Sequence, residues 1–342
     1  MLRDETVLVT GCTGFIAKHI VVRLVREGAR VRGTLRDAAR ADEIHQLLDE
    51  AGLPRERFES RVADLNSDAG WGEAAAECRF VLHTASPFPA AQPRDKFALV
   101  PAAKGGAVRV LEAAKAAGAE RVVMTSSVAA IFYGHGPDRS RVFTERDVSN
   151  VESDSISPYA VSKTEAEKAA WETLAGSRTQ LVTINPSLVF GPLLDRRFGT
   201  SASIVRMVMN GRIPALLDIG FGVVDVRDVA EAHVAALRTP EARGRRFITS
   251  AGALTLTEIS EELSRAFPEI ARRLPKRCLP SWPIHAAARV SRRARMLEAE
   301  LGEAKRLDAS AAKACLGLQF REPREAVRTL GESLLRFGLV RK

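Results

Sequence analysis

Short apolar runs alternate through the first half of the chain with stretches whose apolar positions recur at helical spacing. Residues 6–10, 30–35, 58–63, 80–83, 121–125 and 180–185 read as strands. Between them, residues 16–27, 41–51, 104–117 and 159–175 read as amphipathic helices. Strand–helix alternation of this kind predicts an α/β fold, a doubly wound parallel sheet with ligands at the carboxyl ends of its strands. After residue 186 the pattern loosens. Proline, glycine and longer helices dominate there, with strand-like runs again at 223–226 and 246–249.

The turn after the first strand reads Thr10-Gly11-Cys12-Thr13-Gly14-Phe15-Ile16-Ala17 and leads straight into a helix. In that strand–turn–helix context Gly11 permits a tight turn and Gly14 lets backbone approach a pyrophosphate. Ala17 is small enough for close helix packing, and the helix N-terminus offers free N–H groups to phosphate. The sheet is therefore expected to be of the Rossmann type. Residues 1–185, with 223–250 returning to them, are expected to form the dinucleotide-binding domain; 186–222 and 251–342 form a smaller, interleaved substrate lobe. The second strand ends in Leu35-Arg36-Asp37, with Arg40 following. Leu35 stands where an NAD site wants a carboxylate, and a guanidinium favours a 2′-phosphate, so NADP(H) is the expected cofactor. Asp37 competes with this reading, either as a partner of Arg40 or, shifted by one residue, as the ribose acid. Asp64, after the third strand, is either an acceptor for the adenine amino group or a strand-end turn aspartate.

Tyr159 and Lys163 lie four residues apart on a helix introduced by Ser157-Pro158, hence on one face. A neighbouring ammonium is expected to lower the tyrosine pKa and prepare it for proton transfer to a carbonyl oxygen. Ser126 and Ser127 close the fifth strand, and a hydroxyl there would orient that carbonyl; chemistry alone does not separate the two. In the loop 82–88 small residues let backbone run close to a cofactor, with Phe88 toward substrate. His83 reads as a structural histidine rather than a base, and Tyr133 as a packing or lid residue.

Charge changes this picture little. The chain carries 51 basic and 42 acidic residues among 342, a formal net charge of +9. Its arginines are scattered among acids, apart from a patch at 289–295, and aromatic residues are only 6%, so no nucleic-acid partner is expected. The four cysteines lie far apart with no CxxC pair, which excludes a zinc or disulfide framework and fits a reducing compartment. The N-terminal residues lack signal-peptide features and no apolar run is long enough to cross a bilayer. A cytoplasmic protein without membrane attachment is expected.

Taken together, VTGCTGFIAKHIV (9–21), VRGTLRD (31–37), VLHTASPF (81–88), MTSSVAA (124–130), SPYAVSKTEAEKAAW (157–171), INPSLVFGP (184–192) and VDVRDVAEAHVAAL (224–237) resemble the extended short-chain dehydrogenase/reductase superfamily. Within it they look most like the dihydroflavonol reductase, cinnamoyl-CoA reductase and methylglyoxal (aldehyde) reductase group. The resemblance implies a catalytic Ser–Tyr–Lys triad at Ser127, Tyr159 and Lys163, with Arg36 and then Arg40 reading the 2′-phosphate. The cofactor contacts it implies are Gly11, Thr13, Gly14, Phe15, Ile16, Arg36, Arg40, Asp64, Leu65, Thr84, Ala85, Ser86, Tyr159, Lys163, Pro186, Ser187 and Leu188. Asp225 and Arg227 look like lobe-bridging residues, with His233 buried behind them. Phe88, Phe132, Val189 and Phe221 are expected to line the substrate, and no metal is expected. Two departures stand out: Ala17 replaces a glycine, and the polar segment 131–157 matches no single branch. The implied activity is reversible NADPH-dependent reduction of an aldehyde or ketone by a monomer or homodimer. An NAD-dependent nucleotide-sugar epimerase or dehydratase and a non-catalytic NADP(H)-binding protein are the alternatives.

Overall fold

The computed structural model describes residues 2–87, 93–136, 138–213 and 215–341. Seven parallel strands form the central sheet: β1 (Thr6–Thr10), β2 (Arg30–Leu35), β3 (Phe58–Val62), β4 (Phe80–His83), β5 (Arg121–Thr125), β6 (Gln180–Pro186) and β7 (Arg246–Thr249). Their order is β7-β6-β5-β4-β1-β2-β3, so the chain reverses direction across the sheet between β1 and β4. Val7 pairs with Val31 on one side and Phe80 on the other. A switch of this kind opens a crevice at the carboxyl ends of the strands.

The strands are apolar at nearly every position because both faces are covered. Val7, Val9, Leu82, Val123 and Val182 face one core with helices α1 (Phe15–Arg26), α2 (Ala41–Glu50) and a later helix, Val226–Arg238. Leu8, Val81, Val122 and Leu181 face the other, against α3 (Trp71–Ala75), α4 (Val100–Ala116) and α5 (Pro158–Leu174). The period of two along each strand thus divides neighbouring residues between two cores. Helix α3 has too few residues to show a helical period, and the sequence pattern passes over it.

The second lobe is built around a three-stranded sheet in the order Gly252–Thr255, Gly220–Asp225, Leu188–Phe190. Helices Thr200–Met209, Leu256–Ala266 and Pro323–Arg336 pack on it through Phe190, Val205, Val223, Ile259, Leu263 and Leu330. The strand-like run at 223–226 therefore pairs with Leu188–Phe190, and only Arg246–Thr249 joins the large sheet. Asp225, fully buried, accepts from the Arg227 Nε at 2.9 Å and Nη2 at 2.7 Å, and Arg227 reaches Glu325 of the last helix at 2.9 Å. Segment 131–157 also reaches the second lobe: Val142–Phe143 pairs with Arg306–Leu307, and Arg139 donates to the carbonyls of Ala299 and Leu301. Among the described residues no helix is long and apolar enough to cross a membrane.

Candidate active site

The crevice begins at Thr10, whose side chain ties the ends of β1 and β4 together. Its Oγ1 accepts from the backbone N–H groups of Thr84 (3.1 Å) and Ala85 (3.0 Å), which leaves its own proton for His83 Nδ1 at 2.9 Å. His83 is buried, and desolvation pulls its imidazole down to about 3. It is a neutral, structural histidine. Gly11 follows with φ of +62°, and a Cβ there would lie 3.0 Å from that of Ala85. Both the conformation and the space require glycine. Gly14 caps α1 without any side-chain acceptor, so the first-turn N–H groups stay available at the positive end of the helix dipole. Ala17 is buried against the sheet, where a single methyl group fits.

A cavity of about 740 Å³ runs from this loop across Gly11, Thr13 and Gly14 to Arg36, Arg40, Asp64 and Leu65, with Thr84, Ala85 and Ser86 on its other wall. Leu35 ends β2 inside it, buried and apolar, so no carboxylate waits there for a ribose hydroxyl. Among the described residues no acid pairs with Arg36, which is exposed. Asp37 does not pair with Arg40: its carboxylate accepts from the Ala39 N–H at 3.0 Å and caps a short turn. Arg40 instead pairs with Glu43 through Nε at 2.9 Å, and Arg197, from the second lobe, reaches the same carboxylate at 3.0 Å. Asp64 borders the cavity, but its Oδ1 is committed to a turn, accepting from the backbone of Asn66 at 2.9 Å. The uncapped amides, the glycine cradle and the cluster of arginines suit a nucleotide carrying several phosphates.

A second cavity, of about 400 Å³, continues from Thr13, Gly14, Phe15 and Ile16 to Ser127, Tyr159, Lys163, Pro186 and Ser187. Ser157 caps α5 by accepting from the Ala160 N–H, and Pro158 opens the first turn, which fixes where Tyr159 and Lys163 project. Burial raises the Tyr159 pKa, and a hydrogen bond from the Ser127 hydroxyl works against that rise. The expected depression by Lys163 is not what governs this tyrosine: the Nζ lies 6.0 Å from the ring centroid, and desolvation dominates. Lys163 is 8% exposed and burial pulls it down to about 8, opposed by Glu167. The two serines separate cleanly. Ser126 turns inward to donate to Glu167, whereas Ser127 accepts from the Ala129 N–H at 3.1 Å and bonds Tyr159.

Glu167 escapes motif reading, although it stands four residues beyond Lys163. Its buried carboxylate also accepts from Asn185 at 2.8 Å and Arg246 at 2.6 Å, and Asn185 in turn donates to the Ser127 carbonyl at 3.1 Å. This network locks α5, the end of β5 and strands β6 and β7 together behind the hydroxyls. Buried polar groups satisfied so completely make a rigid support.

The third cavity, of about 470 Å³, opens from Ser127 and Tyr159 toward the second lobe. Phe132, Leu188 and Phe221 line it, with Tyr133, Ile204 and Met207. Leu188, expected beside the nicotinamide, thus borders this cavity, while Val189, expected toward substrate, borders the second one. The reason is alternation: Leu188 and Val189 point to opposite faces of one strand. Phe88 lies outside the described residues. Tyr133 packs 4.6 Å from the Phe132 ring, and burial holds its hydroxyl protonated. His233 is fully buried, with Nε2 accepting from the Thr125 hydroxyl at 2.6 Å and Nδ1 donating to the Val229 carbonyl at 2.7 Å. Among the described residues no group of His, Cys, Asp or Glu could hold a metal ion.

Comparison with known proteins agrees with this geometry. The family model described as the NAD dependent epimerase/dehydratase family matches residues 7–249. A cinnamoyl-CoA reductase of Medicago truncatula is 33% identical over 295 residues, 84% of this chain and 88% of that one. The NADPH-dependent methylglyoxal reductase of Saccharomyces cerevisiae is 32% identical over 359 residues, covering 97% and 98% of the two chains. The crystal structure of yeast methylglyoxal/isovaleraldehyde reductase complexed with NADPH superposes with a TM-score of 0.80 at 29% identity, over 98% of this chain and 99% of that one.

Proposed function

Because the chain belongs to the NAD dependent epimerase/dehydratase family, we infer its chemistry from what the cleft adds to that membership, and propose an NADPH-dependent reductase of aldehydes and ketones, reversible as an alcohol dehydrogenase. The observation that carries this is the convergence of Ser127, Tyr159 and Lys163 on one cavity continuous with the phosphate loop. The similar proteins named as NADPH-dependent or as complexed with NADPH support the same cofactor. Arg36 without a competing acid supports it independently.

Gly11, Thr13, Gly14 and the first-turn amides of α1 would hold the pyrophosphate, and Arg36 and Arg40 the 2′-phosphate. Thr84, Ala85 and Ser86 flank the cleft, while Phe15, Ile16, Pro186 and Ser187 close around the nicotinamide end. NADPH supplies the hydride when bound. Ser127 donates a hydrogen bond to the substrate carbonyl oxygen and fixes its direction. Tyr159, kept protonated by burial, transfers its phenolic proton to that oxygen as the alcohol forms. Lys163 places a positive charge beside the tyrosinate left behind, which stabilises it. Glu167 holds the lysine's helix and the serine's strand in register. The apolar third cavity suits a medium-sized, partly apolar substrate.

Of the expected division, a nucleotide-binding domain of 1–185 with 223–250 and a substrate lobe of 186–222 with 251–342, we keep the two lobes but assign the strand Gly220–Asp225 to the substrate lobe, whose sheet it joins. The enzyme is placed in the cytoplasm, as a monomer or homodimer, since the site is assembled within one chain and the four cysteines are free thiols. Nucleic acid is not a partner on this reading: in the one basic patch Arg292 and Arg295 spend hydrogen bonds on the carbonyls of Arg94 and Ala288. Turnover of an aldehyde and ketone panel with NADPH and with NADH tests the proposal. NADPH-dependent reduction is expected; tightly held NAD with no carbonyl reduction would favour an epimerase or dehydratase instead.

A further inference from the structure

The third cavity is apolar along most of its wall, yet two ionised side chains, Glu300 and Lys305, also line it. Neither takes part in the chemistry above. The Lys305 side chain is 12% exposed, and its Nζ donates to the Ala299 carbonyl at 3.3 Å and lies 3.6 Å from Glu300. The same Nζ stands 4.8 Å from the Phe132 ring centroid and 4.7 Å from that of Tyr133. Glu300 is shared, because the Tyr133 hydroxyl also bonds to it. Arg139 brings a second cation to this corner, its guanidinium pinned to the carbonyls of Ala299 (2.8 Å) and Leu301 (2.7 Å). Two cations face one carboxylate, so the corner holds one positive charge in excess, in surroundings that screen it poorly. Burial keeps Lys305 below the ordinary lysine range even with Glu300 beside it. Of its three ammonium hydrogens, one goes to the Ala299 carbonyl, and Glu300 stands opposite as an ion partner.

We propose that this corner is a substrate subsite for a carboxylate, so that the preferred substrates are oxo acids whose carboxylate is separated from the reacting carbonyl by an apolar spacer. The inference rests on the reductase reading of the same cavity. A carboxylate takes a further Lys305 hydrogen and neutralises the excess charge. Its spacer lies along Phe132 and Phe221, and the carbonyl reaches Ser127 and Tyr159. Tyr133 joins the two ends, packing in one apolar cluster with Tyr159 while bonding Glu300. An uncharged tail would leave the excess positive charge uncompensated, and a cationic one would be repelled by Lys305 and Arg139.

The test uses 4-formylbenzoate and its methyl ester. Each is titrated calorimetrically into the whole protein saturated with NADP+, which cannot reduce them, and each is assayed separately with NADPH. The acid is expected to bind about tenfold to a hundredfold tighter than the ester. Lys305→Met should collapse that ratio. Glu300→Gln, which keeps an oxygen for Tyr133 and Lys305 while removing the opposing charge, should widen it. If Lys305→Met does not fold, the Glu300→Gln ratio decides: widening supports the subsite, while no change or narrowing overturns it. Equal binding of acid and ester, or a preference for ester, by the unmodified protein also overturns it. Acid-selective binding without turnover would keep the subsite and remove the reductase reading. Turnover of both aldehydes without acid preference would do the reverse.

Discussion

At the adenosine end of the cleft the chemistry stands in solvent. Arg36 is exposed, and Arg40 and Arg197 share Glu43 at the surface. At the nicotinamide end it is enclosed: Lys163 is 8% exposed, Ser126 and Glu167 are buried, and the hydrogen bonds Glu167 accepts from Ser126, Asn185 and Arg246 join four separate elements. Exposed guanidinium groups cost little to hold and are screened by salt, so they suit recognition that must be reversible. Buried groups lose solvation and keep it lost. Their pKa values move, and each depends on its neighbours. On the proposed function, one end of the cleft selects the cofactor and the other carries out the reaction.

The largest expected effect lies at the enclosed end. Tyr159→Phe should lower kcat about 10²- to 10⁴-fold, the range for loss of a positioned acid, while leaving NADPH affinity nearly unchanged. Steady-state rates together with cofactor titration measure both quantities. Next comes the support behind it. Glu167→Ala removes the partner of the half-buried Arg246 and should cost about 3 kcal/mol or more of unfolding free energy, read from denaturant titration. Loss of activity without loss of stability would show that Glu167 is not the anchor described above.

At the exposed end the effect should be smaller and confined to one cofactor. Arg36→Ala should weaken NADPH binding about tenfold with little change for NADH, and raising salt should shrink the difference between variant and parent. Equal losses for both cofactors would contradict a 2′-phosphate role.

The remaining effects are read against pH. Lys163, drawn down to about 8, loses its charge as pH rises through that value, so kcat/KM for carbonyl reduction should be level below about 8 and fall above it. His19, His83 and His233 titrate at about 4, 3 and 4 in the folded protein, below the 6.5 of a free imidazole. Between those values the unfolded chain binds more protons, so stability rises with pH and is lost as pH falls from 6.5. Thermal melting across that interval should show the decline.

Much of the selecting end was legible in the sequence, because its residues follow one another at strand ends. The Gly11–Ala17 turn and the Leu35-Arg36 step are local, and each strand of the large sheet lies within a residue or so of its apolar run. The reacting end was legible only in part. Tyr159 and Lys163 share a helical face, and Glu167 extends that face by one further turn. Arg246, Asn185, Glu300 and Lys305 come from distant segments and are brought to the site only through tertiary packing, so no spacing announces them. The direction of the Tyr159 shift was misread for a related reason: helical spacing brings the lysine near, but burial, which spacing does not encode, outweighs it.

Single-turnover reduction of an aldehyde by Tyr159→Phe under saturating NADPH, with the cofactor dissociation constant measured on the same protein, tests the account most directly. It predicts NADPH affinity close to that of the unmodified enzyme and a chemical step at least about a hundredfold slower. A chemical step at the parent rate with NADPH fully bound would contradict it.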